Sequence, residues 1–374
     1  MATLTPAPSD PPLSATRTRM IRADRGALVA YLLMLAYASL NPFFGWRAPE
    51  AFTLFAWPKY VIAFDVILNI AAYAPLGAML AALVRQRVKI ANFRLTRDAQ
   101  IWLVTVAASA ALSLGFELLQ ACLPGRVSSF VDLLANATGG AAGAALVLAA
   151  PGRMLIGAWR RWRQLHFSSS NETSWGLILL GAWIFAQLNP AIPFFEAGNI
   201  ANPFDAANAH PYSPLVLLPQ AVGIMLNVCG FVLFVALLMR PARTMMLNVI
   251  ALLAGGLIIK MAMASLMLKA PQMLDWMAPA RVIGLTSGLL LAAYFSRLRY
   301  RWRAFCATLF VFAGGLMAKI TSVYGAFDET LRLFAWPHGQ LVNFASLTRW
   351  MHETWPLVAV IFLAWQFVAH RESN

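Results

Sequence analysis

Charge is scarce in this sequence: Asp, Glu, Lys and Arg make up 12% of its 374 residues, against 60% hydrophobic residues and a mean hydropathy of +0.66. That balance excludes an ordinary water-soluble fold, because no core hides so much apolar side chain, and the bilayer has to act as solvent. Acid is scarcer still, with 15 Asp and Glu against 29 Lys and Arg and a formal charge of +14. The basic residues fall in short clusters between apolar runs, without a continuous stripe, so topology explains them and nucleic acid is not an expected partner. Cysteine is limited to Cys122, Cys229 and Cys306, more than 70 residues apart and without a CxxC pair. Neither a disulfide framework nor a zinc site is expected. His352-Glu353 runs on into Thr354, Trp355 and Pro356, so no HExxH motif forms. No cofactor is expected.

What is present in quantity is apolar runs. Residues 1–26, rich in Pro, Ser, Thr and Arg, read as a disordered cytoplasmic tail. Ala36-Tyr37-Ala38 has the form of a signal-peptide cleavage site, but the long tail before it and the recurrence of a related segment in mid-chain favour a retained span. At about 20 residues per crossing, spans are expected near 27–43, 60–84, 99–121, 128–150, 174–190, 216–239, 245–268, 279–297, 303–324 and 341–367. The expected fold class is all-α, a polytopic integral membrane protein of about ten transmembrane helices. With both termini cytoplasmic, the inner side collects Arg17–Arg25, Arg85–Arg97, Arg153–Arg163, Arg240, Arg243, Arg297–Arg303 and Arg371, 20 of the 29 Lys and Arg. The positive-inside rule then holds throughout.

The chain echoes itself. Ser39-Leu40-Asn41-Pro42-Phe43-Phe44 returns as Gln187-Leu188-Asn189-Pro190 with Phe194-Phe195 beyond, and Asn69 and Asn227 each interrupt the next apolar run. Leu54-Phe55-Ala56-Trp57-Pro58 returns as Leu333-Phe334-Ala335-Trp336-Pro337. These echoes imply degenerate parallel repeats: a four-helix unit over 27–150, a second over 174–297 and a C-terminal pair over 303–367.

Polar residues concentrate in the first unit, where burial in a membrane makes them costly. Asp65 and Asn69 are one turn apart; Glu117 and Gln120 share a face with Ser113; Asp132 and Asn136 are at i and i+4; Arg126 follows Pro124-Gly125. Alternating helix directions bring them to one layer, about 6 to 12 Å below the outer surface. Gly139, Gly140 and Gly143 would let a neighbouring helix approach closely. Arg126 is expected to pair with Glu117 or Asp132.

These residues resemble the VanZ-like family: Asp65-x-x-x-Asn69, Tyr73-x-Pro75-x-Gly77, Glu117-x-x-Gln120, then Arg126 before Asp132-x-x-x-Asn136-x-x-Gly139. That family takes its name from a teicoplanin-resistance accessory protein. The resemblance covers about residues 27–150 and implies a bacterial inner-membrane protein of the cell envelope, concerned with envelope biogenesis or antibiotic resistance. The second unit departs from the pattern, with Lys260 for Glu117, Met263 for Gln120 and Pro279 for Asn136, although Asp275 falls where Asp132 would.

Three functions remain open. The expected one is binding or moving an envelope lipid or amphiphile, with membrane lipids and a lipid-linked precursor as partners. The others are an enzyme using Glu117 and Asp132 on a lipid-linked or glycan substrate, and a non-catalytic scaffold. A hard cation on Asp65, Glu117 and Asp132 lacks diagnostic ligand spacing, so no metal is expected. Lys260, Arg281, Lys319 and Arg349 sit at a similar level in later helices, either snorkelling or forming an anion site. Trp57, Trp102, Trp336 and Trp355 read as an aromatic belt.

Overall fold

Long apolar runs have one way to satisfy their backbone in lipid, the helix, and each of the ten expected runs overlaps a helix in the computed structural model. The structure describes residues 13–41, 43–48, 61, 63–87, 96–124, 126, 128–190, 192, 194–195, 214–240, 244–267, 278–321 and 339–369. Among the described residues there are eleven helices: α1 (Leu13–Leu40), α2 (Ala63–Arg87), α3 (Arg97–Gln120), α4 (Phe130–Leu148), α5 (Ala150–His166), α6 (Asn171–Ala186), α7 (Pro214–Leu238), α8 (Met245–Met267), α9 (Pro279–Phe295), α10 (Tyr300–Thr321) and α11 (Gly339–Ala369). Five stretches, Asp65–Gln86, Arg97–Gln120, Phe130–Leu148, Leu217–Leu238 and Met245–Ser265, are long and apolar enough to cross a membrane; Arg25–Leu40 and Pro279–Phe295 are shorter apolar helices. The chain is an all-α, multi-pass membrane protein. Both Leu-Phe-Ala-Trp-Pro stretches, Gly125, Asp275 and the side chain of Lys319 lie outside the described residues.

Two elements differ from the sequence expectation. Helix α1 begins at Leu13, inside the tail expected to be disordered. Helix α5 occupies what read as a basic cytoplasmic linker. Its apolar residues recur at helical spacing, but Arg153, Arg160, Arg161 and Arg163 dilute them below the level of a span.

In the first bundle, α2 packs on α4 more extensively than any other helix pair, α3 lies along α4, and α1 closes the group against α2 and α3. Glycine permits the close crossing. A Cβ on Gly139 or Gly143 would overlap the backbone of Ile70 or Ala74, and one on Gly77 would overlap the Gly140 carbonyl.

The second bundle is built around α7, whose residues from Val228 to its end at Leu238 are all buried. It packs chiefly on α9 and α10. Gly284 and Gly288 sit against Ile224 and Val228, and Gly230 against Val311. Rings of Trp183, Phe194, Phe195, Phe231, Phe234 and Trp355 fill its middle, with the Trp183 and Phe231 centroids 4.1 Å apart. The bundles meet where α1 touches α6 and α11, and Tyr37 stacks on Trp350 at 5.6 Å. Phe43 and Phe195 adopt left-handed φ of 65° and 62°, each just beyond an Asn-Pro echo.

Candidate functional site

The polar residues of the first bundle gather at one end, where α1 and α3 finish and α2 and α4 begin. Ser129 is the N-cap of α4, its hydroxyl accepting from Val131 N at 3.2 Å. In a capping box the third helical residue, here Asp132, would accept the N-cap amide. Glu117 of α3 takes that amide instead, Oε2 to Ser129 N at 2.8 Å. Asp132 is thereby released to accept from Asn69 Nδ2 at 2.8 Å, which ties α4 to α2.

One turn deeper, Asn136 Nδ2 donates to Ser113 Oγ at 2.9 Å. A further turn down, Gly140 faces Ser109, where a Cβ would lie 2.5 Å from the hydroxyl. The buried stripe of α3 is Ile101, Thr105, Ser109, Ser113 and Glu117, one residue every four. Thr105 and Ser109 were missed from sequence, although that spacing was there to be read.

Gln120 and Arg126 turn away from the carboxylates toward α1. A helix leaves its last four carbonyls without helical partners. In α1 all four are met: Tyr37 O by Asn41 N at 2.9 Å, Leu40 O by Phe43 N at 2.9 Å, Ser39 O by Gln120 Nε2 at 3.0 Å and Ala38 O by the Arg126 guanidinium at 2.9 Å. The expected Arg126 ion pair is therefore corrected. Among the described residues Arg126 reaches no carboxylate at ion-pair distance; it caps a helix C-terminus, where a cation also meets the negative end of the helix dipole. Burial lowers its pKa from the ordinary value, and the charge of Glu117 opposes that shift. Alanine at Arg126 should lower the thermal unfolding midpoint in detergent by an amount equivalent to about 1–3 kcal/mol, the cost of an unmet buried carbonyl. Adding Glu117→Gln should not restore it; a double variant more stable than Arg126→Ala would reinstate the ion pair.

Several polar atoms in this layer have no protein partner. Asp65 Oδ1, Tyr73 Oη, Asn136 Oδ1 and Ser128 Oγ, with Ser109 Oγ below them, are buried and unbonded. Asp65 and Asp132 are close enough to repel, as are Glu117 and Asp132, and Arg126 is the cation that acts on Glu117. Among the described residues no three His, Cys, Asp or Glu come together as a metal site.

Three of the cations singled out in later helices have described side chains, and they are placed differently. Lys260, on α8, is buried and donates to Asn189 O at 2.9 Å and Ile192 O at 2.6 Å, just past the end of α6. Arg281 is buried in the first turn of α9, and Arg349 is half-buried on α11. The second bundle also holds a cavity of about 240 Å³ that sequence reasoning missed, lined by Trp183, Phe195, Asn227, Phe312 and Trp355 with His352 and Glu353. Asn227 donates to Phe195 O at 3.0 Å and Gly314 O at 3.1 Å.

Among the described residues, eleven packed helices, five with stretches long and apolar enough to span, and one end of the first bundle polar inside, define a polytopic membrane protein with a buried polar site. The segment carrying that site, residues 2–151, matches the family model described as VanZ/LLP1. The resemblance read from residues 27–150 is borne out for this segment, and the match extends nearer the N-terminus. No curated protein and no solved structure matched the chain.

Proposed function

We propose that the first bundle binds the headgroup of an envelope lipid or amphiphile that offers hydrogen-bond donors, hydroxyl or ammonium, from the outer face of a bacterial inner membrane. The observation that carries this reading is the set of unmet oxygens. Two of the five, Asp65 Oδ1 and Asn136 Oδ1, can only accept, and the other three are hydroxyls. Buried acceptors without donors are costly, and a donor-rich headgroup would meet them. Glu117 and Asp132 each already hold a hydrogen bond that organises a helix end, which favours binding over acid–base chemistry.

Ten spans, cytoplasmic termini and parallel repeats belong to the same proposal. Three parallels support the repeats. The second helix of each unit docks on glycines of the fourth, Gly139 and Gly143 in one, Gly284 and Gly288 in the other. A side chain from the third helix holds a carbonyl at or just past the end of the first, Gln120 on Ser39 O in the last turn of α1 and Lys260 on Asn189 O beyond α6. Phe43 and Phe195 share the left-handed turn.

Two experiments test this. Reporters fused after Arg163, Arg243 or Arg303 should report cytoplasm, and those near Arg126, Asn202 or Asp328 the outer side; one clear interior reversal sinks the ten-span arrangement. Native mass spectrometry of the full chain should show retention of glycosyl- or amine-headed lipids over choline-headed ones. Asp65→Ala should weaken that retention about 10- to 100-fold, as expected for losing a hydrogen bond to a charged group. Equal retention of both classes, unchanged by Asp65→Ala, would leave the scaffold reading.

A further inference from the structure

Helix α5 turns a broad apolar face away from the protein. Met154, Leu155, Trp159 and Leu165 are 74%, 65%, 54% and 72% exposed. Together with Ala158 and Trp162 they fall on one side of the helix at 3.6 residues per turn. The other side carries Arg153, Arg160 and Arg163, Arg161 lies at the border, and the helix has no acidic residue.

Contacts on the other side set the roll of the helix. Arg153 Nη1 is 3.0 Å from Asp98 Oδ2 at the start of α3, and Arg163 Nη2 donates to Ser174 Oγ at 2.8 Å in α6. At its entry the chain leaves α4 through an extended Ala149, with Pro151 in the first turn. Ile156 packs against the cluster of Ala81, Ile101, Ala144, Val147 and Leu148 at that end of the first bundle. The apolar face is thus held at the end of the membrane-spanning stretches opposite the polar site.

We propose that α5 lies in the plane of the membrane surface, its apolar face at the boundary between acyl chains and headgroups and Arg160 and Arg161 on the phosphates of anionic phospholipids. The exposed apolar area is larger than scattered surface residues leave in water. Arg160 and Arg161, on a helix without an acidic residue, complement an anionic leaflet, and Trp159 and Trp162, stacked at 5.1 Å, are residues that favour its interface. Because α5 is tied to both α3 and α6, lipid held there grips the seam between the bundles. This inference is independent of the polar-site reading.

The test uses the full chain in vesicles, with an environment-sensitive fluorophore on a cysteine at Leu155, Leu165 or, on the opposite face, Gln164, in a background where Cys122, Cys229 and Cys306 are Ser or Ala. Labels at Leu155 and Leu165 should be quenched by lipids brominated near the headgroup and shielded from aqueous iodide, and the label at Gln164 should show the reverse. Iodide quenching as strong at Leu155 as at Gln164 overturns the proposal. Shielding from iodide without quenching by brominated lipid also overturns it, and shows that protein, such as a second copy, covers the face. In the second arm, affinity for phosphatidylglycerol over phosphatidylcholine should fall roughly 5- to 30-fold in Arg160→Gln/Arg161→Gln. If that double variant folds and keeps the wild-type preference, the headgroup assignment is wrong.

Discussion

Alanine at Gly143, Gly139 or Gly77 should abolish the folded first bundle, whereas alanine at Gly115 should leave it intact. The contrast rests on what a single methyl meets. At the first three positions it overlaps backbone of Ala74, Ile70 or Gly140, and at Gly115 nothing lies within 4 Å. A flexible side chain can move aside, but a helix backbone moves only if the whole crossing opens. Overpacking that repacking could absorb costs about 1–3 kcal/mol; here the interface between α2 and α4 has to separate, so the loss should exceed that range. Gly115→Ala should gain up to about 1 kcal/mol of helix propensity. Yield and thermal unfolding in detergent, measured on all four variants, decide it: normal behaviour of Gly143→Ala and Gly139→Ala removes the close-contact account.

Methionine in place of Lys260 should be the most damaging single change in the second bundle. The buried ammonium holds the carbonyls of Asn189 and Ile192, and Asn189 in turn donates to Thr348 Oγ1 at 3.1 Å, linking the end of α6 to α11. Methionine keeps much of the volume and leaves both carbonyls without that donor, a cost of roughly 2–6 kcal/mol at about 1–3 each. An anion receptor would behave differently, since Lys260→Met would spare stability and abolish phosphate or carboxylate binding. Unfolding and anion titration on the same preparation separate the two.

The sequence carried the helices well, each expected apolar run overlapping one, because hydrocarbon imposes a length and a composition that show in a sequence; five of the stretches are long and apolar enough to cross. It carried the polar residues of the first bundle for the same reason, since Asp65, Glu117 and Asp132 are conspicuous in apolar surroundings. It did not carry their partners. Glu117 binds a backbone amide, and Gln120, Arg126 and Lys260 bind backbone carbonyls, groups that every residue possesses and no composition singles out. Arg126 was assigned to a carboxylate because charges are visible in a sequence and the unmet end of α1 is not. Helix α5 was lost for another reason: its arginines answered the question of topology so fully that the spacing of Trp159, Trp162 and Leu165 went unread.

The enclosure of α7 bears on how the protein is made. This is the most apolar of the candidate spans, yet protein surrounds most of it, and its main neighbours, α9 and α10, follow it in the chain. During synthesis α7 must enter lipid before those neighbours exist. Its later exchange of acyl chains for helices gains little from hydrophobicity, since lipid is as apolar as leucine, and must rely on close packing. Gly230, Gly284, Gly288 and Gly314 supply the shape for it. A chain stalled before α9 would therefore hold an inserted but unassembled second half, exposed to membrane quality control until α9 and α10 arrive.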